Sequence, residues 1–328
     1  MSSLMARETA EIPTVIRQQL THNAACLQRL GAELRAQPPR AVMMIGRGTS
    51  DHAGVFAKYL IEVECGVPVM AAAPSIASVY GQTLRLDGML AICISQSGKS
   101  PDIVAQAERA KVGGARVLAL VNNVDSPLAA VADDVLPLHA GPELAVAATK
   151  SYIASLVALV SLVAAWQDNA DLQQALQELP QQLQNTPAQA FALADFQQLK
   201  QCVVLGRGFG YAIAREMALK LKEVLSIQAE AFSSAEFLHG PVTLVEQHLT
   251  VVNCQIDDEG AAYHQAQIAD VAARGAHVVP FLAAGALHPR LQPIALMQQF
   301  YQALEQLAVQ QGLNPDAPPG LKKVTETR

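Results

Sequence analysis

The chain has 328 residues, 51% of them hydrophobic and only 16% charged, which supplies apolar surface for large packed cores and excludes intrinsic disorder. Its 23 basic and 29 acidic side chains leave a net charge of −6 without a basic block, so the electrostatic footprint of a nucleic-acid or anionic-membrane binder is absent. The five cysteines, Cys26, Cys65, Cys93, Cys202 and Cys254, form no CxxC pair and read as reduced core residues with no zinc site. The first residues alternate charges and carry no apolar stretch, which predicts no signal peptide and a cytoplasmic location.

Apolar positions Ile12, Ile16 and Leu20, then Leu27, Leu30 and Leu34, predict one or two amphipathic helices over residues 7–35. Residues 41–45 are a short apolar run that reads as a buried strand, stopped by Gly46-Arg47-Gly48. A helix over 51–63 and a strand over 67–73 follow. Residues 90–94 form a third strand, stopped by Ser95-Gln96-Ser97-Gly98. Pro101 then opens a helix that Gly113-Gly114 closes, and residues 116–121 give another strand. The apolar run 152–166 is too short for the ~20 residues that span a bilayer and reads as a buried core helix. The Gln-rich stretch 171–196 reads as a helical connection, and the Pro-rich tail 314–328 as a segment lying over the surface. Strands alternating with helices predict an α/β fold with mostly parallel sheets.

The pattern repeats. Gly46-Arg47-Gly48 returns as Gly206-Arg207-Gly208, and Gly114-Ala115-Arg116-Val117 as Gly275-Ala276-His277-Val278. The run around Ile92 has a counterpart at 249–252. One offset of about 160 residues for three features points to two copies of one α/β unit. Neither glycine turn meets the GxGxxG dinucleotide pattern, which needs Gly where Asp51 and Tyr211 stand.

In parallel α/β sheets ligands bind at the carboxyl ends of the strands. Ser95-Gln96-Ser97-Gly98-Lys99-Ser100 runs into a helix start, where hydroxyls and backbone N–H groups suit a phosphate. Gly48-Thr49-Ser50 repeats that chemistry, although each turn alone also fits an ordinary helix cap. In the second copy Glu216, Lys220 and Glu223 share one helical face, a spacing that also fits a solvent-exposed salt-bridge ladder. His239-Gly240-Pro241 places a histidine on a forced turn, either as a loop residue or projecting into a cleft.

Taken together, six patterns resemble the double sugar-isomerase-domain (SIS) phosphosugar enzymes over roughly residues 40–328. They are Gly48-Thr49-Ser50, Ser95-Gln96-Ser97-Gly98, Val146-Ala147-Ala148-Thr149-Lys150, Ala218-Leu219-Lys220-Leu221-Lys222-Glu223, His239-Gly240-Pro241 and Lys322-Lys323-Val324-Thr325. The resemblance implies two tandem SIS domains, each a three-layer α/β/α sandwich. It implies domains at 41–170 and 197–312, with a helical segment at 1–40, the connection at 171–196 and a tail at 313–328 over the active site. It further implies that Ser50, Ser95, Gln96, Ser97 and Ser100 grip the sugar phosphate and that Val146 and Ala147 offer backbone contacts to the sugar. Glu223 would shuttle the proton between carbons 2 and 1, with Lys220 as helper. His239 would open the ring from a neighbouring subunit of a homodimer, and Lys322 would reach the open-chain sugar.

Within that family the likeness is to the isomerase half of glucosamine-6-phosphate synthase and most of all to the stand-alone deaminases. Arg47, Lys99, Ser100 and Ala148 depart from the synthase pattern, and the chain starts Met1-Ser2 with no amidotransferase cysteine. The expectation is therefore a glucosamine-6-phosphate deaminase that needs no cofactor and no metal. The alternatives are an aldose–ketose isomerase, a fructosamine-phosphate deglycase, a galactosamine-6-phosphate deaminase, or a non-catalytic sugar-phosphate sensor.

Overall fold

The computed structural model describes residues 2–283, 287–321 and 323. These form two compact units: a first of residues 12–143, 150–180 and 323, and a second of residues 2–11, 144–149 and 181–321. Helix α1 (Leu4–Ala10) starts the second unit, with the Ser3 hydroxyl capping it by accepting from the Ala6 N–H at 3.0 Å.

The first unit begins with α2 (Ile12–Ala36), followed by β1 (Val42–Ile45), α3 (Thr49–Cys65), β2 (Val69–Ala71), α4 (Ser75–Ser78) and β3 (Leu90–Ser95). It continues through α5 (Pro101–Val112), β4 (Arg116–Val121), α6 (Pro127–Val131), β5 (Asp134–Pro137) and α7 (Lys150–Trp166). The five strands are parallel in the order β2-β1-β3-β4-β5. This is the doubly wound order 2-1-3-4-5, whose direction of winding reverses between β1 and β3. β1 and β3 are buried at every residue, because helices cover both faces of the sheet.

Helix α7 is buried at 16 of its 17 positions, which matches its apolar character on every face. Helix α2 crosses it closely at Gly31, where an added Cβ would fall 2.5 Å from the Ala165 carbonyl oxygen.

Helix α8 (Ala170–Asn185) is followed by α9 (Leu193–Phe196). The expected continuous helical connection is thus interrupted over 186–192, where Pro187 cannot extend a helix. The second unit then runs β6 (Gln201–Gly206), α10 (Phe209–Leu225), β7 (Gln228–Ser233), α11 (Ser234–Phe237) and a 3-10 turn (Pro241–Gln247). β8 (Thr250–Gln255), α12 (Ala261–Ala273), β9 (His277–Leu282) and α13 (Gln292–Gln310) complete it. Its parallel sheet has the order β7-β6-β8-β9, which reproduces β2-β1-β3-β4 strand for strand. The duplication read from the sequence is thus a duplication of topology.

Cys93, Cys202 and Cys254 are buried, and Cys26 and Cys65 partly so, with no disulfide. Burial pushes the Cys93 and Cys202 thiols up to about 12, which makes them inert packing groups. Among the described residues no helix is long and apolar enough to cross a membrane.

Candidate active site

The candidate residues fall into two groups, one on each unit. In the first unit they gather at the carboxyl ends of β1 and β3, where the winding reverses. After β1 the chain turns through Gly48, whose φ of +52° and ψ of −126° suit glycine alone, and enters α3 at Thr49-Ser50. The same turn closes the second copy: Gly208 has φ +53° and ψ −122° ahead of α10.

After β3 the chain forms a tight loop. Ser95, at the end of the strand, is buried and its Oγ accepts from the Gly98 N–H at 3.1 Å. Ser97 Oγ accepts from the Lys99 N–H at 3.3 Å. The Gln96 carbonyl accepts from the Asn122 N–H at 3.1 Å and the Gly98 carbonyl from the Leu128 N–H at 3.1 Å. Gly98 has φ +64°, and a Cβ there would collide with the Ser126 hydroxyl at 2.1 Å. The loop is therefore fixed by its own backbone and by the ends of β4 and α6. Ser100 occupies the N-cap of α5, but its hydroxyl makes no capping hydrogen bond. Pro101 has no N–H to give, so the start of α5 offers a positive helix end beside the Ser100 hydroxyl. Ser50, Ser95, Gln96, Ser97 and Ser100 thus sit on two neighbouring strand tips.

The tail reaches the first unit through Lys323, whose Nζ lies 3.2 Å from Glu143. Glu143 is fully buried, and it also accepts from the Ser151 N–H at 3.0 Å and the Ser151 hydroxyl at 2.7 Å. Lys322 lies outside the described residues. Lys323 lies in the Lys322-Lys323-Val324-Thr325 pattern, but the sequence reading gives it no role and does not single out Glu143. They are 180 residues apart, and no local pattern links them.

In the second unit, the segment 144–149 is stapled from both ends of the chain. The Glu8 carboxylate accepts from the backbone N–H groups of Leu144 and Ala145. The Val146 N–H donates to the Asp316 carbonyl at 3.0 Å, and the Asp316 carboxylate accepts from the Leu4 and Met5 N–H groups at 2.8 Å each. Val146 is half-buried and Ala147 buried. The Val146 N–H is thus engaged within this staple.

Helix α10 carries Glu216, Lys220 and Glu223 on one face, and that face is buried. Glu216 and Lys220 are 0% and 1% exposed, so the solvent-exposed ladder that the spacing also allowed is excluded. Lys220 Nζ lies 3.3 Å from Glu216 and 2.5 Å from Glu223, and the Tyr301 hydroxyl of α13 lies 3.3 Å from Glu216. Glu223 keeps 22% of its side chain exposed, so one end of the triad is closed and the other open. Such a carboxylate, paired with a fixed ammonium and open on one side, can accept and return a proton.

His239 follows α11, its N–H donating to the Glu236 carbonyl at 3.0 Å, and its side chain is exposed. The next residue, Gly240, has φ +145°, and Pro241 starts the 3-10 turn. Among the described residues no group of three or more His, Cys, Asp or Glu side chains could hold a metal ion.

The model of the SIS domain matches residues 37–165 and 195–283. A glutamine–fructose-6-phosphate aminotransferase (isomerizing) of Symbiobacterium thermophilum is 36% identical over 300 residues, covering 84% of this chain and 48% of that protein. The chain thus spans about half the length of that relative. A provisionally assigned phosphosugar isomerase from Silicibacter pomeroyi DSS-3 superimposes with a TM-score of 0.85 at 37% identity, over 96% of this chain and 100% of that one. A glucosamine-6-phosphate deaminase from Thermotoga maritima has a TM-score of 0.77 at 20% identity, over 99% and 100% of the two chains, a likeness of fold.

Proposed function

Because this chain belongs to the SIS-domain family, we propose that it converts glucosamine 6-phosphate and water to fructose 6-phosphate and ammonia. The observation that carries the reading is the α10 triad, a half-open Glu223 carboxylate clamped by a buried lysine. In this reading the serine-rich strand tips of the first unit take the phosphate through hydroxyls, backbone N–H groups and the start of α5. His239 of the neighbouring subunit in a homodimer moves a proton from the carbon-1 hydroxyl to the ring oxygen, opening the ring.

Glu223 then takes the proton from carbon 2 and returns one to carbon 1. The amine nitrogen gives up one proton and the carbonyl oxygen takes one, so the aldehyde becomes a hydroxymethyl group and carbon 2 becomes an imine. Water adds to the imine carbon, the C–N bond breaks, and ammonia leaves with the proton it needs. Lys220 stabilises the oxygen charge that develops on the way, and Val146 and Ala147 orient the sugar chain. A lysine of the tail, Lys322 in the family likeness, meets the open-chain sugar.

The experiment is a panel of glucosamine 6-phosphate, galactosamine 6-phosphate, a fructosamine 6-phosphate adduct and a plain aldose 6-phosphate. Released ammonia and formed ketose are both scored. Ammonia from glucosamine 6-phosphate supports the reading. Ketose without ammonia turns it into an aldose–ketose isomerase, ammonia from the galacto epimer alone moves the substrate, and amine released from the adduct alone makes it a deglycase.

A further inference from the structure

We infer that Arg47, aimed by Asp102, is a phosphate-gripping side chain of the strand-tip cradle, an inference that rests on the phosphosugar reading above. Arg47 lies in the turn after β1. The β1–β3 register ends with Ile45 beside Cys93, two residues before Arg47 on one side and two before Ser95, where the serine loop begins, on the other. Arg47 Nε donates to Asp102 Oδ2 at 2.8 Å. Asp102 is the second residue of α5, and its carboxylate is fully buried, with Oδ1 accepting from the Ile103 N–H at 2.9 Å. The arginine therefore spans from the tip of β1 to the start of α5, the two walls between which the serine loop lies.

This pairing uses the guanidinium through Nε. The two terminal nitrogens make no hydrogen bond to the described residues, and 49% of the side chain is exposed. Held in this way, an arginine presents a planar fork of donors that matches two phosphate oxygens. Asp102 supplies the orientation, and it gains a partner without which a buried carboxylate is costly.

The second copy is a built-in contrast. Arg207 occupies the same place in a turn of the same shape, but the loop after β8 is Asp257-Asp258-Glu259 in place of hydroxyls. There Glu259 takes both terminal nitrogens of Arg290, at 2.8 Å each. That acidic loop thus takes up a guanidinium from elsewhere in the unit, Arg290, whereas the loop beside Arg47 carries serines instead of carboxylates.

The test is calorimetric titration of fructose 6-phosphate and of inorganic phosphate into the wild type, Arg47→Met and Arg47→Lys, with thermal melting alongside. Loss of a charge-assisted pair of hydrogen bonds is expected to weaken both ligands about 10–100-fold in Arg47→Met. Arg47→Lys keeps a charge for Asp102 and protects the fold. It is expected to weaken binding as well, because one ammonium cannot hold Asp102 and grip two phosphate oxygens. Wild-type affinity in either folded variant overturns the inference. A wild type that binds neither ligand instead sinks the phosphosugar reading itself.

Discussion

The ammonium of Lys220 sits 2.5 Å from the Glu223 carboxylate and 3.3 Å from Glu216, with 1% of its side chain exposed. Burial alone would favour the neutral amine, but the two carboxylates and their hydrogen bonds more than reverse this and hold Lys220 above the ordinary lysine range. A raised folded value means that this contribution to stability is fully present below the ordinary lysine value and is lost only as pH climbs through the folded one. At neutral pH Lys220 is thus charged.

Removing the ammonium leaves two carboxylates facing each other, one of them wholly buried. Lys220→Met is expected to cost about 3–5 kcal/mol of unfolding free energy, read from the urea midpoint at constant slope. An unchanged midpoint would show that the triad contributes nothing to folding.

Glu223→Gln keeps the shape of the side chain and an acceptor for Lys220 while removing the base. Turnover is expected to fall about 10²–10⁴-fold with KM nearly constant. Activity above about a tenth of wild type would rule Glu223 out as the proton shuttle.

If His239 serves a neighbouring subunit, Glu223→Gln and His239→Ala homodimers are each inactive, but subunit exchange builds one whole site in every mixed dimer. An equimolar mixture is then expected to recover about a quarter of wild-type activity, since half the dimers are mixed and each has one working site of two. No recovery after verified exchange would place His239 in its own subunit's site.

His264 on α12 is 2% exposed, with Nε2 lying 2.7 Å from Asn253 Oδ1. Burial, together with the nearby Arg207, lowers its pKa to about 4. The unfolded chain binds the proton first, so the stability that a neutral His264 confers is complete above pH ~6.5 and is lost as pH falls toward 4. The loss is expected to reach roughly 3 kcal/mol across that window. His264→Gln should flatten the dependence when unfolding free energies are measured between pH 4 and 7, and an unaltered slope would assign it to other groups.

Gly48 and Gly208 share one backbone conformation, and a Cβ at Gly48 meets nothing within 4 Å while one at Gly208 meets only Asp258 at 3.6 Å. Gly48→Ala and Gly208→Ala are therefore expected to destabilise by strain alone, each by about 1–3 kcal/mol and to a similar extent. Differential scanning calorimetry of the two variants tests this, and a large asymmetry would deny the equivalence of the turns.

The parallel core strands are legible in the sequence because helices cover both faces, which makes β1, β3 and β4 unbroken apolar runs. β5 and β7 escape notice for the opposite reason. Each is an edge strand, and β7 alternates Gln228 and Glu230 with alanines, so it has no run to read. The spacing of Glu216, Lys220 and Glu223 is equally visible, but its burial is not. Tyr301 reaches that face from a helix 85 residues further on, and a solvent-exposed ladder has the same spacing. The stapling of 144–149 by Glu8 and Asp316 runs through backbone N–H groups, which carry no residue signature at all.

Helix α7 has no face suited to water, and its neighbours α2 and α3 both precede it in the chain. As the polypeptide emerges from the ribosome, the partners that shield α7 are thus already synthesised when it appears. Gene order here doubles as protection against aggregation. A circular permutant that begins at α7 would expose a predominantly apolar helix to solvent before its cover is made, and is expected to aggregate more than the parent chain during folding.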